Sequence, residues 1–191
     1  MPKEVVLDIE TQNTYQDLGV RDHRQLKVSL VGIYASDRDE YQSFLEPELP
    51  RLWPILEQAD RVIGYNIKHF DLPVLANYYP GDLSRLPCLD ILEEIERKIG
   101  FRIKLDDLAR ATLGRGKSGN GLQAVEFWRK GELEKLRAYC LQDVRVTKEV
   151  YEHGLAAGQV VYMDRLGRRN EIPVDFSLKT NRRALNLTMG L

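Results

Sequence analysis

Apolar and polar residues alternate with a period of two in short runs near the start of the chain, and a helical period dominates the later runs. The first pattern predicts β-strands and the second predicts α-helices. We expect five strands, at residues 3–10, 27–35, 40–45, 61–65 and 86–90. We expect helices at residues 47–59, 71–79, 91–99, 105–113, 122–129 and 133–153. This order predicts an α/β fold in which helices flank a mixed five-stranded sheet.

The chain changes character after Gly154, where two short alternating runs flank residues 165–170 and predict a β-hairpin. Between residues 164 and 183 six basic side chains outnumber three acidic ones, so this tail is locally basic. We therefore divide the chain into a main domain, residues 1–158, and a hairpin with a basic tail, residues 159–191, packed on the same domain. The tail would bind nucleic acid or hold a partner protein.

Composition excludes several classes of protein. The 191 residues carry a net charge of −1, so any binding to nucleic acid must use a local basic patch or a metal ion. Cys88 and Cys140 stand far apart without a CxxC spacing, which argues against a zinc ribbon or a disulfide framework and fits a reducing cytosol. We expect no signal peptide, no membrane span and a cytoplasmic location.

The stretch VVLDIET, residues 5–11, is the first sign of chemistry. Side chains two residues apart lie on the same face of a strand, so Asp8 and Glu10 would lie side by side among apolar neighbours. Two like charges in such surroundings raise each other's pKa and destabilise the fold. A divalent cation between them would compensate, so the pair predicts a metal site.

Two later stretches carry related residues. Asn66 follows a short buried strand, and Phe70 and Asp71 stand at the start of the next helix. Tyr139 and Asp143 are four residues apart in the longest predicted helix, so they share one face of it.

Together the three stretches resemble the three motifs of the DEDD superfamily, the DnaQ-like 3′–5′ exonucleases with a ribonuclease H fold. The matching motifs are Asp8-x-Glu10, Asn66-x-x-x-Phe70-Asp71 and Tyr139-x-x-x-Asp143. A tyrosine four residues before the last aspartate marks the tyrosine-type branch, and Ala138 stands where the histidine branch has its histidine. The resemblance covers residues 3–153 and is strongest to stand-alone relatives of the exonuclease domain of family B DNA polymerases.

The resemblance implies two divalent ions, Mg²⁺ or Mn²⁺, held by four carboxylates. Asp8 would bridge both ions, Glu10 and Asp143 would hold the ion that binds the attacking water, and Asp71 would reach the second ion. Hard cations prefer such oxygen ligands, and a pair of them suits the hydrolysis of a phosphodiester.

The resemblance also implies roles toward the substrate. Tyr139 would orient the attacking water, because a phenol with a pKa of about 10 is a poor general base near neutral pH. Asn66 and Phe70 would contact the terminal nucleotides, with Thr11 facing the 3′ end. The expected reaction is release of mononucleotides from the 3′ end of single-stranded nucleic acid, with DNA favoured over RNA. A separate polymerase, helicase or repair protein is the expected partner.

Three other interpretations stay open. The first is an endonuclease of the same superfamily, and the second is a non-catalytic adaptor that binds nucleic acid. The third is a nucleotide-binding protein built on residues 111–118, ATLGRGKS, which differ from a phosphate-binding loop at Ala111. That segment follows a predicted helix, whereas such a loop follows a strand, which argues against the third.

Overall fold

A five-stranded sheet forms the centre of the fold in the computed structural model, which describes residues 2–115 and 121–178. The sheet order is β3-β2-β1-β4-β5, with β1 antiparallel to β2 and parallel to β4. The predicted mixed sheet is therefore confirmed. The strands are β1 (Glu4–Thr11), β2 (Val28–Ala35), β3 (Glu40–Leu45), β4 (Arg61–Gly64) and β5 (Cys88–Asp90), followed by β6 (Gln159–Met163) and β7 (Arg169–Pro173).

Helices cover both faces of this sheet. The described helices are α1 (Tyr15–Leu18), α2 (Trp53–Glu57), α3 (Asp71–Leu75), α4 (Ile91–Ile99), α5 (Leu105–Leu113), α6 (Gly121–Arg129) and α7 (Leu133–Ala157). Val5, Leu7 and Ile9 of β1 pack in the cluster that contains α2 and α3. Val6 packs on the opposite face with α5, α7 and the C-terminal strands. Strand alternation then sends Asp8 and Glu10 toward the face that α7 covers. No helix among the described residues is long and apolar enough to cross a membrane.

Three predicted elements differ from the structure. The helix expected at residues 47–59 is a 3₁₀ segment, Glu46–Arg51, followed by the short α2, because Pro50 and Pro54 each lack the amide hydrogen that one continuous α-helix needs. The helix expected at residues 71–79 ends at Leu75, and single turns carry the chain onward. Residues 12–24, where the sequence analysis placed no helix, contain α1, in which Thr14 and Asp17 form a capping box.

The predicted hairpin is confirmed as the antiparallel pair β6 and β7. It packs against α5 and α7, and Ile172, Val174 and Phe176 enter the core that contains Val6. The Phe176 ring crosses α7 at Gly154, where a Cβ atom would lie 2.3 Å from Phe176 Cε2, so glycine permits this close approach. Lys179, Arg182 and Arg183 of the basic tail, and residues 116–120 of the ATLGRGKS region, lie outside the described residues.

A buried charged network attaches the segment after β7 to the central sheet. Arg61 of β4 binds Glu4 of β1, with Nη2 2.5 Å from Oε1. The same guanidinium donates to the Tyr151 hydroxyl (2.7 Å) and to the carbonyl oxygens of Phe176 (2.9 Å) and Ser177 (3.2 Å). Tyr151 in turn donates to Glu4 Oε2 at 2.8 Å, so every member of the network has a partner.

Candidate active site

A cleft of about 400 Å³ opens where β1 ends, between the start of α3, α6 and α7. Four of the residues predicted from the sequence line it: Asp8 and Glu10 from β1, and Tyr139 and Asp143 from α7. Thr11 and Phe70 line the same cleft. Residues separated by more than 130 positions in the chain therefore meet near the end of the central strand β1.

An irregularity in β1 lies next to the acidic residues. The pairing of β1 with β2 shifts between Glu10 and Thr11, so that Glu10 faces Leu30 and Thr11 faces Val28. One extra residue, Ser29, is thereby inserted in β2 opposite this step. Such bulges bend a strand and re-aim its side chains, and they are frequent beside active sites. Glu10 and Thr11 are both buried at this point, with 7% and 9% of their surface exposed.

Asp71 reaches the same strand from the opposite face of the sheet. It is the first residue of α3, and its carboxylate accepts a hydrogen bond from the Ile9 amide, with Oδ1 3.1 Å from the nitrogen. Ile9 lies between Asp8 and Glu10, so the third carboxylate is fixed to the backbone that carries the first two. Burial raises the pKa of Asp71 to about 7, although the Ile9 amide acts in the opposite direction.

This raised pKa gives a first prediction, which concerns the metal-free protein. Because the pKa of Asp71 in the folded state lies above its unfolded value, ionised Asp71 destabilises the fold at neutral pH, and that cost fades as pH falls from 7 toward 4. Asp71→Asn keeps an acceptor for the Ile9 amide and removes the charge. In EDTA at pH 7.5 we expect the variant to be more stable than wild type by on the order of 1–3 kcal/mol.

Urea denaturation in EDTA at pH 7.5 and pH 5 measures this difference. We expect the advantage of the variant to shrink at pH 5. Asp37→Asn, at an exposed turn residue, is the control and should change stability by less than about 0.5 kcal/mol. A variant less stable than wild type at pH 7.5 would show that the Asp71 carboxylate stabilises the fold even without a metal.

Tyr139 and Asp143 of α7 are both largely buried. Asp143 is 6% exposed and Tyr139 is 8% exposed, although both line the cleft. The Tyr139 ring meets the Phe127 ring of α6 edge to face, with 6.4 Å between the centroids. Phe127 of α6 therefore restricts the orientation of the Tyr139 phenol, through a contact that the motif spacing did not indicate.

Asn66 is placed differently from the other predicted residues. Its side chain lines a separate recess of about 180 Å³ with Lys68, His69 and Asp90, and Arg102 donates to its Oδ1 atom. Asn66 has a φ of +69°, a conformation that asparagine tolerates better than most residues. The structure therefore does not bring the Asn66 side chain into the acidic cleft.

The turn that carries Asn66 is built on the buried carboxylate of Asp90. That carboxylate accepts from the Asn66 amide at 2.8 Å and from the Lys68 amide at 3.0 Å. It also caps α4 by accepting from the Leu92 amide at 3.0 Å. Asp90 therefore positions the turn that leads into Phe70 and Asp71.

Cys140 also adjoins the site, although the sequence analysis did not include it among the candidate site residues. It is fully buried beside Asp8, with Sγ 3.6 Å from the Asp8 carbonyl oxygen and 3.9 Å from Oδ2. Burial, together with the negative charges of Asp8, Glu10 and Asp143, raises the pKa of the Cys140 thiol well above its usual value. The thiol therefore stays protonated at neutral pH and packs against the carboxylates as a neutral group.

The donor atoms of the cleft suit a hard divalent cation. Asp8, Glu10 and Cys140 present atoms that lie within 4.8 Å of one another, and Asp143 lines the same cleft. The Asp71 carboxylate is bound to the Ile9 amide, between Asp8 and Glu10. Oxygen-rich, anionic sets of this kind favour Mg²⁺ or Mn²⁺ over thiophilic metals.

Much of the remaining cleft wall is apolar, and Asn13 and Thr14 add two polar side chains to it. The apolar residues include Tyr15, Leu26, Phe70, Leu122 and Val125. Tyr15 and Leu122 are 39% and 61% exposed. Arg129 of α6 forms an ion pair with Asp17 of α1, so the elements that contribute Leu122 and Tyr15 are connected to each other.

Comparisons with known proteins agree with this architecture. The model of the RNase_H superfamily matches residues 5–154, and the chain belongs to that superfamily. Nucleases of this superfamily use divalent metals, which the acidic cluster of the cleft suits. A comparison with curated proteins gave no match.

Among solved structures, the chain is similar to the family B DNA polymerase from the hyperthermophilic archaeon Pyrobaculum calidifontis, with a TM-score of 0.61 and 21% identity. The match covers 81% of this chain and 25% of the polymerase chain. The chain therefore spans about a quarter of the length of that polymerase, and at this identity the likeness establishes the fold.

Proposed function

We propose that the protein is a metal-dependent 3′–5′ exonuclease that removes mononucleotides from single-stranded nucleic acid, with DNA favoured over RNA. The observation that carries this proposal is the meeting of Asp8, Glu10, Tyr139 and Asp143 in one cleft, with Asp71 bound to the intervening strand. The resemblance to the tyrosine-type DEDD exonucleases and membership of the RNase_H superfamily support the same reaction.

In this proposal four carboxylates hold the metal ions: Asp8, Glu10, Asp71 and Asp143. Two bound divalent cations would neutralise the charge of the phosphate and make a water nucleophilic near neutral pH. The protein contributes a rigid arrangement of these oxygens, because Asp8 and Glu10 lie on a central strand and Asp71 is fixed by the Ile9 amide. Tyr139 supplies a hydroxyl that orients the attacking water, since Phe127 and the helix limit its movement.

The apolar wall of the cleft supplies the remaining contacts. Phe70, Tyr15 and Leu122 present faces on which a base or sugar can pack without regard to sequence. Thr11 lies at the same rim, and its hydroxyl donates to the Asn13 carbonyl oxygen at 2.9 Å. An enzyme that removes whatever nucleotide is last needs this kind of sequence-tolerant contact.

A direct assay tests the reaction. Purified protein is incubated with 5′-labelled single-stranded DNA and RNA of one sequence, in Mg²⁺, Mn²⁺ or EDTA. We expect a metal-dependent ladder that shortens from the 3′ end, with faster cleavage of DNA. A closed circular single strand distinguishes the endonuclease, because an exonuclease cannot begin on it. Cleavage of the circle, or no cleavage of either linear polymer, would refute the proposal.

A second prediction concerns Phe70. Phe70→Ala removes an aromatic face from the cleft, and base stacking on one such face contributes about 1–3 kcal/mol, so we expect affinity for a short single strand to fall about tenfold. The affinity of the Phe70→Ala variant for Mn²⁺, measured by titration, should equal that of wild type, because the phenylalanine side chain has no atom that binds a metal. Leu155→Ala, which removes a 48%-exposed apolar side chain three turns beyond Asp143 on α7, is the control. Equal binding of DNA by wild type and Phe70→Ala would remove Phe70 from the substrate site.

A further inference from the structure

A large cavity is separate from the acidic cleft. It has a volume of about 1060 Å³ and lies between residues 101–104, helix α5 and the turn that follows β6. We call it the hairpin cleft, and its lining includes Phe101, Arg102, Lys104, Arg110, Tyr162 and Arg165. The proposed hydrolysis uses none of these residues, so the cavity requires an explanation of its own.

Aromatic surface and positive charge occur together in the hairpin cleft. Phe101 is 47% exposed and meets Tyr162 edge to face, with 5.6 Å between the ring centroids. Four basic side chains line the cleft against two acidic ones, Asp107 and Asp164. The Asp164 carboxylate is already neutralised, because it pairs with Arg168 at 2.7 Å and accepts from backbone amides, which hold its pKa below the usual range. Arg102 and Arg110 are likewise ion-paired, with Glu96 and Asp106. The positive excess toward a ligand is therefore carried by Lys104 and Arg165 against Asp107.

The wall of the hairpin cleft is attached to the turn that leads into the acidic cleft. Tyr65, directly after β4, donates to the Ile103 carbonyl oxygen at 2.6 Å, and Arg102 donates to Asn66 Oδ1. The Phe70 amide bonds the Asn66 carbonyl oxygen at 3.0 Å, so a single turn separates Asn66 from Phe70. The two clefts therefore adjoin the same turn, with Arg102 on one side of it and Phe70 on the other.

We propose that the hairpin cleft binds the single strand of nucleic acid that extends from the nucleotide held in the acidic cleft. Exposed aromatic rings beside arginine and lysine are the combination that holds a single strand without sequence preference, because bases stack on the rings and phosphates meet the cations. The direction of the strand rests on the proposed exonuclease function, whereas the class of ligand rests on the charge and the aromatic surface of the cleft alone.

Charge provides the first test. Fluorescence anisotropy in EDTA, which prevents cleavage, measures binding of a 20-nucleotide strand at several salt concentrations. The logarithm of the binding constant falls as log salt rises, and each lost phosphate contact makes this slope less steep by about 0.7 for a single strand. The double variant Arg110→Gln with Arg165→Gln should therefore make it less steep by about 1.4. Arg97→Gln is a matched control, because Arg97 is 62% exposed and ion-paired within α4, as Arg110 is 65% exposed and ion-paired within α5.

Stacking provides the second test. Phe101→Ala should weaken binding of the 20-mer about tenfold. Leu155→Ala is the control, since it removes an apolar side chain of nearly equal exposure, 48%, from another surface. Wild type should bind the 20-mer more tightly than a trinucleotide of the same composition. The ratio of these two affinities should be smaller in Phe101→Ala and in the double variant Arg110→Gln with Arg165→Gln. DNA and RNA strands are compared in parallel to show which sugar the cleft prefers.

The outcomes separate this inference from the proposed function. An unchanged salt slope in the double variant together with unchanged affinity in Phe101→Ala would overturn the inference, and a protein partner would become the expected occupant. Absence of a cleavage ladder from a protein whose 20-mer binding still depends on Arg110, Arg165 and Phe101 would refute the exonuclease and support the cleft. If the protein produces a cleavage ladder but its binding of the strand does not depend on these three residues, the exonuclease alone would be supported.

Discussion

Asp8→Asn should abolish metal-dependent hydrolysis, with a loss in kcat of about 10³-fold or more. The substitution keeps the shape of the side chain but removes one negative charge from the centre of the acidic cleft, where Glu10 and Cys140 lie within 4.8 Å. Metal ions supply several kcal/mol of charge stabilisation in phosphoryl hydrolysis, and each 1.36 kcal/mol corresponds to a factor of ten in rate. Removing one of their ligands should forfeit most of that stabilisation.

Two measurements distinguish loss of metal from loss of fold. Calorimetric titration with Mn²⁺ should show affinity reduced at least tenfold in Asp8→Asn. Urea denaturation in EDTA should show wild-type stability or better, because one of several crowded carboxylates has become neutral. Asp37→Asn, in the exposed turn between β2 and β3, should leave both rate and metal affinity as in wild type. If the Asp8→Asn variant still hydrolyses the substrate at a tenth of the wild-type rate, Asp8 is not a ligand of the metal.

The largest expected effect on stability is at Arg61. Arg61→Ala removes the partner of the half-buried Glu4 carboxylate and leaves the carbonyl oxygens of Phe176 and Ser177 without their donor. Breaking a buried ion pair by removing one partner costs about 3–5 kcal/mol, because a charge remains in a poorly solvated place. Domains of this size are stable by only about 5–15 kcal/mol, so this one change should remove a large part of the margin.

Chemical denaturation measures the loss, and a thermal melt should show a decrease in Tm of about 10 °C. Arg51→Ala is the control, since Arg51 is 74% exposed in its ion pair with Glu48, and surface pairs contribute about 0–1 kcal/mol. Combining Arg61→Met with Glu4→Gln should recover part of the stability, because no unpaired charge is then buried. A loss below 1 kcal/mol in Arg61→Ala would show that water reaches Glu4 and replaces the guanidinium.

Local periodicity was sufficient to predict much of the fold. The alternation of β1 predicts which side chains share a face, and the spacing of Tyr139 and Asp143 predicts that both lie on one side of α7. The five strands follow from the same kind of pattern. The interruption of the helix at residues 46–57 did not follow from periodicity, because two prolines break a segment whose apolar spacing is helical.

Contacts between distant residues account for what the sequence did not indicate. The Asn66 side chain turns away from the acidic cleft because it accepts a hydrogen bond from Arg102, 36 residues further along the chain. Asp90 shapes the same turn through the amides of Asn66 and Lys68. The hairpin cleft exists because β6 packs against α5, a contact that depends on the tertiary arrangement of both elements. None of these pairings leaves a periodic signal in the sequence.

The network around Arg61 also has a consequence for the order of events during synthesis. Arg61 binds backbone atoms 115 and 116 residues away, and Glu4 binds a tyrosine 147 residues away. The Arg61 guanidinium of β4 therefore acquires its full set of partners only when residues near position 177 have been synthesised, and Glu4 of β1 acquires its second partner only at Tyr151. Contacts of such high sequence separation slow folding, because a large loop must close before they form.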